Sequence, residues 1–125
     1  MSGCPFCARV AELGTSSDAV DFPDAFPVSP GHTLVVPRRH EADLFALEPT
    51  SLAAVWSRVA EVRDALQRTH SPDGFNVGIN AGAAAGQTIA HAHVHVIPRY
   101  AGDVADPRGG VRWVVPERAP YWSEP

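Results

Sequence analysis

Three histidines, His91, His93 and His95, alternate with Ala92, Val94 and Val96 in the stretch from Gly86 to Arg99. A neutral imidazole offers both a lone pair and an N–H at pH 7, so it can attack an electrophile, pass a proton or ligate a metal. A period of two belongs to a β-strand and predicts imidazoles on one face with apolar groups on the other. At about 3.4 Å per residue, adjacent imidazoles are rooted roughly 7 Å apart and the outer pair roughly 13–14 Å apart. Zinc needs its nitrogen ligands about 3–3.5 Å from one another, so adjacent rings could converge on one ion but the outer two could not. At least one ring has other work.

The preceding loop, Asn80 to Thr88, suggests what that work is. Gly82 and Gly86 let the backbone turn with its N–H groups inward and let an anion approach, while Asn80, Gln87 and Thr88 can hydrogen-bond. A bland hairpin feeding a partly exposed strand is the alternative, but loop and histidines together within so short a span favour a site.

The stretch GINAGAAAGQTIAHAHVHVIPR resembles the signature of the histidine triad (HIT) superfamily, in which three histidines with apolar spacers follow a Gly-Gln-Ser/Thr loop. The segment from Asp106 to Pro116 is further similar to the bacterial HIT branch described as diadenosine-polyphosphate hydrolase-like. The resemblance implies cleavage at the α-phosphate of a nucleotide, with His93 as nucleophile and a covalent nucleotidyl-histidine. His95, Asn80, Gly86, Gln87 and Thr88 would donate to the phosphate, and Gln87 or Thr88 would assist the leaving group. It also implies a nucleoside pocket in which Phe22 contacts the base, Asp24 takes the ribose hydroxyls and His32 lies nearby. Ala25 follows Asp24 where relatives carry a larger apolar residue, which loosens one wall. Each role has an alternative: Asp24 could cap a local turn, and His32 could be a buried ring bonded to backbone.

Cys4-Pro5-Phe6-Cys7 could be a redox pair, a disulfide or half a zinc site. A redox CxxC usually follows a strand, and only three residues precede Cys4; a bridge between residues this close is disfavoured. The family resemblance completes a structural zinc site with His40 and His91, against two unliganded thiols packed as small hydrophobes. Whether magnesium is also needed is open at this level.

Composition limits the classes. The chain has 125 residues, 45% apolar and 19% charged, a formal charge of −4 and no apolar run of membrane-spanning length. Length and composition predict a single domain over 1–125, located in the cytoplasm, with no attraction for nucleic acid or membrane; the resemblance implies that it is a HIT domain. The elements that must hold the site follow from periodicity and breakers. A short helix is expected over Ala8–Leu13, strands over Asp18–Phe22, His32–Pro37 and Phe75–Asn80, and the triad strand ending at Pro98. Leu52, Val55, Trp56, Val59, Val62 and Leu66 recur at helical spacing and predict a long helix from Pro49 or Thr50 to Arg68. Val111–Val115 is expected to add an edge strand, with Arg108 and Arg112 either reaching distal phosphates or sitting exposed. These elements give an α+β fold class, HIT-like by the resemblance: an antiparallel sheet of about five strands with one long and one short helix.

The leading expectation is a hydrolase releasing a nucleoside monophosphate from a dinucleoside polyphosphate or a nucleoside phosphoramidate, with a purine and adenosine-containing substrate. Open alternatives are a nucleotidyltransferase using the same intermediate and a low-turnover nucleotide-binding regulatory module. The resemblance also implies a homodimer.

Overall fold

The computed structural model describes residues 3–122. Four antiparallel strands, β1 (Ala19–Pro23), β2 (Thr33–Pro37), β3 (Gly74–Ile79) and β4 (Val94–Arg99), form one sheet in the order β1-β2-β4-β3. Two helices flank it, α1 (Pro5–Leu13) and α2 (Pro49–His70). The expected fifth strand is absent among the described residues: Gly110–Val114 is a short 3-10 helix instead. Its two leading glycines take positive φ of 94° and 45°, which coil the backbone before the β-branched residues can extend it.

The sheet is two-sided, and its alternation decides where the chemistry lies. On β2, Val35 packs toward α2, whereas Leu34 and Val36 pack toward α1 and Phe6. Helix α2 presents Val55, Val59, Val62 and Leu66 to the first face, where they meet Ala19, Val94 and Val96. Burying each such side chain contributes about 1.5–3 kcal/mol, so this layer fixes the sheet against α2. Trp56, one position off the stripe, is 41% exposed. Ser71 ends the helix in the left-handed region at φ 47°.

The other face holds the histidines. Register pairs Phe22 with Leu34 and Leu34 with His95, so one row crosses three strands from an aromatic ring to an imidazole. With strands about 4.8 Å apart, that row spans roughly 10 Å.

The triad strand is shorter than its pattern predicts. It begins at Val94, so only His95 lies within it, while His91 and His93 occupy the irregular approach. Pairing of β2 with β4 stops at Val35 and Val94. Pro37, two residues further along β2, has no N–H to continue the ladder, and Ala92 N–H donates to Glu41 O at 2.7 Å instead. No described helix is long and apolar enough to cross a membrane.

Candidate active site and metal centre

Leaving the sheet frees the first histidine to turn away from the other two. His91 is fully buried, and its Nε2–H donates to Pro37 O at 2.8 Å, which leaves the lone pair on Nδ1. That nitrogen lies 3.5 Å from Cys4 Sγ and 3.6 Å from Cys7 Sγ. Cys7 Sγ is in turn 3.1 Å from His40 Nδ1, and one donor atom from each of Cys4, Cys7, His40 and His91 falls within 4.8 Å of every other. Helix α1 sets the cysteine spacing: Cys4 is its N-cap, with Sγ accepting from Cys7 N–H at 3.3 Å, and Pro5 occupies the first turn. Four donors at Zn–S of about 2.3 Å and Zn–N of about 2.0–2.1 Å define a tetrahedron with edges of roughly 3.5 Å, close to the 3.1, 3.5 and 3.6 Å sulfur–nitrogen separations here. Burial pushes the His91 pKa down, helped by His40 and His93 and opposed by the bond to Pro37. The ring is therefore held neutral, as a ligand must be.

The remaining histidines line a cavity of about 570 Å³ on the α1 side of the sheet. His93, 9% exposed, has its Nδ1 2.9 Å from His91 O. A carbonyl only accepts, so Nδ1 carries the proton and Nε2 keeps the lone pair. His95 is the reverse. Val28 N–H donates to His32 Nδ1 at 3.1 Å, which puts the His32 proton on Nε2; that nitrogen is 2.9 Å from His95 Nδ1, so His95 carries its own proton on Nε2. A lone-pair nitrogen and a donor nitrogen thus stand side by side, with the two rings 5.2 Å apart between centroids. Burial, the neighbouring histidines and, in the opposite sense, Asp24 set the His95 pKa below its ordinary value. His32 is lowered by burial despite Asp24.

Asp24 caps a local turn with one oxygen and turns the other toward the histidines. Its Oδ1 accepts from Phe26 N–H at 2.8 Å, while Oδ2 lies 3.4 Å from His32 Nε2 and 3.9 Å from His95 Nδ1. Asp24, His32 and His95 are close enough to suggest a second cation site. Yet His32 Nδ1 already accepts from Val28, so giving Nε2 to a metal would require an imidazolate. The cluster is a proton chain.

The loop contributes Asn80, Gly86 and Thr88 to the cavity wall. Gly82 and Gly86 adopt φ of 93° and 96°, but the N–H groups of Gly86 and Gln87 are spent on Ala83 O and Gly82 O. Gln87 is engaged likewise: its Nε2 donates to Ala42 O and Ile89 O, and its Oε1 accepts from Gly82 N–H. Its side chain braces the bend. Phe22 reaches the cavity but is 4% exposed, pressed between Phe6 at 5.5 Å and the Arg9 guanidinium at 5.1 Å. Arg108 pairs with Asp106 at 2.9 Å, and Arg112 donates to Ala119 O and Arg118 O, so both arginines tie the tail to itself.

Phe6, Arg9 and Ile89 also line the cavity and were not singled out from the sequence. Position offered one clue: Phe6 and Arg9 are one helical turn apart on the element that carries both cysteines.

A sheet with an imidazole lone pair and an imidazole donor on one face, beside a glycine bend, defines a histidine-triad domain. The chain belongs to the HIT family, whose domain profile matches residues 11–102. It is 38% identical over 105 residues to an uncharacterized HIT-like protein of Mycoplasma genitalium, covering 79% of this chain and 74% of that one. It is 39% identical over 80 residues to the asymmetrical bis(5'-nucleosyl)-tetraphosphatase of Schizosaccharomyces pombe, covering 64% of this chain and 44% of the relative. Among solved structures, a zinc-bound histidine triad family protein from Mycobacterium smegmatis superposes with a TM-score of 0.74 at 33% identity, covering 83% of this chain and 80% of that one.

Proposed function

We propose that this protein hydrolyses nucleotides at the α-phosphate, acting on dinucleoside polyphosphates or nucleoside phosphoramidates. The observation that carries the reading is the tautomer of His93, whose Nδ1–H is held by His91 O and whose Nε2 lone pair is therefore available at the cavity. In the first step that lone pair attacks the α-phosphorus, the bond to the leaving group breaks, and the electron pair departs with the leaving group. His95, with its proton fixed on Nε2, donates to a non-bridging oxygen as charge develops, and the Asn80 and Thr88 side chains supply further donors. Where an amine leaves, a proton must accompany it, passed from solvent through the Thr88 hydroxyl. Water then attacks phosphorus and loses its proton to solvent, and the P–N bond breaks with its electron pair returning to Nε2 of His93. The purine lies toward Phe22 and Phe6, and Asp24 Oδ2 accepts the ribose hydroxyls. Gln87 acts through the loop it braces.

The tetraphosphatase relative makes dinucleoside tetraphosphates the first substrates to assay. Release of AMP from diadenosine tetraphosphate or from a fluorogenic AMP phosphoramidate tests the hydrolase reading directly. Release only in the presence of a phosphorylated acceptor would make the protein a nucleotidyltransferase, and stoichiometric binding without turnover would make it a regulatory module.

Cys4, Cys7, His40 and His91 would hold one structural zinc, which ties α1 to the triad approach and draws the cysteines to thiolate. A solved histidine triad relative that is zinc-bound and the donor spacing here support this assignment. A reduced cytoplasm suits two such thiols. Homodimerisation is part of the same reading; β3 is left as an edge strand with Val77 37% exposed, and sedimentation in solution tests it.

A further inference from the structure

The base end of the cavity is apolar except at one point. Pro5, Phe6, Leu34 and Ile89 supply its walls, Ala25 leaves one side open, and the lone cation among the residues lining it is Arg9. Its place is fixed by the helix. Phe6 is buried in the sheet-face core, and Cys4 caps the first turn, so α1 cannot rotate to take Arg9 elsewhere. The guanidinium lies over the Phe22 ring at 5.1 Å to the centroid, an attractive contact that orders the side chain at little entropic cost. On the solvent side NH1 donates to Glu12 at 3.0 Å. A guanidinium has five N–H donors, so others remain for a ligand in the cavity.

The alternative occupant of those donors is a phosphate, and the layout argues against it. The α-phosphate must sit at His93, beside Asn80, Gly86 and Thr88. Arg9 lies over the Phe22 ring on β1, two strands and roughly 10 Å from the root of His95 on β4, at the end of the cavity to which the proposed function assigns the base. The donors that Glu12 does not take match a base edge that presents acceptors. Guanine and hypoxanthine offer O6 and N7 together, whereas adenine offers N7 next to an amino group that is itself a donor.

We propose that Arg9 is a specificity residue that reads the O6/N7 edge of the base and makes this site favour 6-oxopurine nucleotides over adenine nucleotides. The inference rests on the cavity being the nucleotide site, but not on which reaction follows. It accounts for an arginine on an apolar wall and for its pre-ordering over Phe22.

Equilibrium binding separates this from the hydrolase reading because it needs no turnover. Calorimetric titration of the full chain with GMP, IMP and AMP should give GMP and IMP tighter than AMP by about tenfold or more, the range of one good bidentate contact. Arg9→Met keeps a long stem over Phe22 and removes every donor; it should weaken GMP about tenfold and leave AMP within about threefold. Arg9→Gln, whose carboxamide matches the N6/N7 edge of adenine, should swing the ratio toward AMP. The same GMP preference without release of nucleoside monophosphate from any phosphoramidate would sink the hydrolase and keep Arg9. Equal affinity for the three nucleotides in the wild type would overturn the inference, as would Arg9→Met losing GMP and AMP alike, the mark of a phosphate contact.

Discussion

Two histidine clusters lie back to back on either side of the short approach to β4, and they differ in where their lone pairs are spent. In the Cys4/Cys7/His40/His91 group the His91 lone pair points at two sulfurs, and the one N–H of that ring is already committed to Pro37 O. Two sulfurs and two imidazole nitrogens within 4.8 Å of one another make a soft donor set of the kind that suits a cation. In the His32/His93/His95 group each fixed proton faces an acceptor: Val28 N–H on His32, His32 on His95, His93 on His91 O. Only the outermost nitrogens, Nε2 of His93 and of His95, are left for a ligand. Under the proposed function the same side chain, three times in five residues, would serve as metal ligand, nucleophile and donor, according to whether it meets Pro37 O, His91 O or the His32 ring.

The contrast is broken most severely at His93. His93→Asn should lower turnover by more than a hundredfold, over about 2.7 kcal/mol of barrier, while nucleotide affinity stays within a few fold. An equal loss of affinity would mean that the ring binds rather than attacks. At the other cluster, Cys4→Ser should take zinc from about one per chain to a small fraction by atomic emission. A chelator should then lower the melting temperature of the wild type but not of the variant. Unchanged metal content in Cys4→Ser would remove that cysteine from the ligand set.

A smaller effect is expected at the hinge between the two roles. His32→Phe deletes the donor that sets the His95 tautomer, and kcat should fall by about tenfold to a hundredfold with little change in KM. His32→Gln, which can still offer an N–H near His95, should recover part of that rate. A rise in KM alone would make His32 a nucleoside contact. The gentlest test is pH. Burial holds the pKa values of His32 and His95 below the ordinary value near 6.5, so both rings stay neutral at pH 7 and protonate only in more acid solution. The acid limb of kcat/KM should accordingly lie below pH 6.5 and sharpen the assignment of His95 as a neutral donor. Stability follows the same sign. The unfolded chain binds more protons once pH drops below about 6.5, so the stabilisation from these buried neutral rings is full above that value and is lost as pH falls through the folded pKa values. A melting temperature that rises on acidification through this window would contradict it.

Much of this was legible in the sequence wherever spacing alone carried the information. The helix over Pro49–His70 follows from its apolar stripe, and the HIT assignment follows from three histidines behind a Gly-Gln-Thr bend. The periodicity that revealed the triad also misplaced it: alternation extends over His91–His95, but the strand starts at Val94 because Pro37 cannot extend the ladder. That limit depends on which residue of another strand stands opposite, and no local pattern contains it. For the same reason Gln87 reads as a phosphate donor from its motif and proves to brace its own loop, since its partner Ala42 is 45 residues away. Val111–Val115 has strand composition, yet the glycines at 109 and 110 coil it. The tautomers of His32, His93 and His95 depend on backbone atoms of Val28 and His91 and could be assigned only in three dimensions.

The central claim is that His93, and not its neighbour two residues on, forms the bond to phosphorus. Rapid acid-free quench of the enzyme with excess AMP phosphoramidate, followed by peptide mass spectrometry, measures it. The account predicts an added adenylyl mass on the peptide containing His93, fragmenting to that residue, and its absence in His93→Asn. Adduct on His95, or AMP released in a single turnover with no adduct formed at a competent rate, would contradict it.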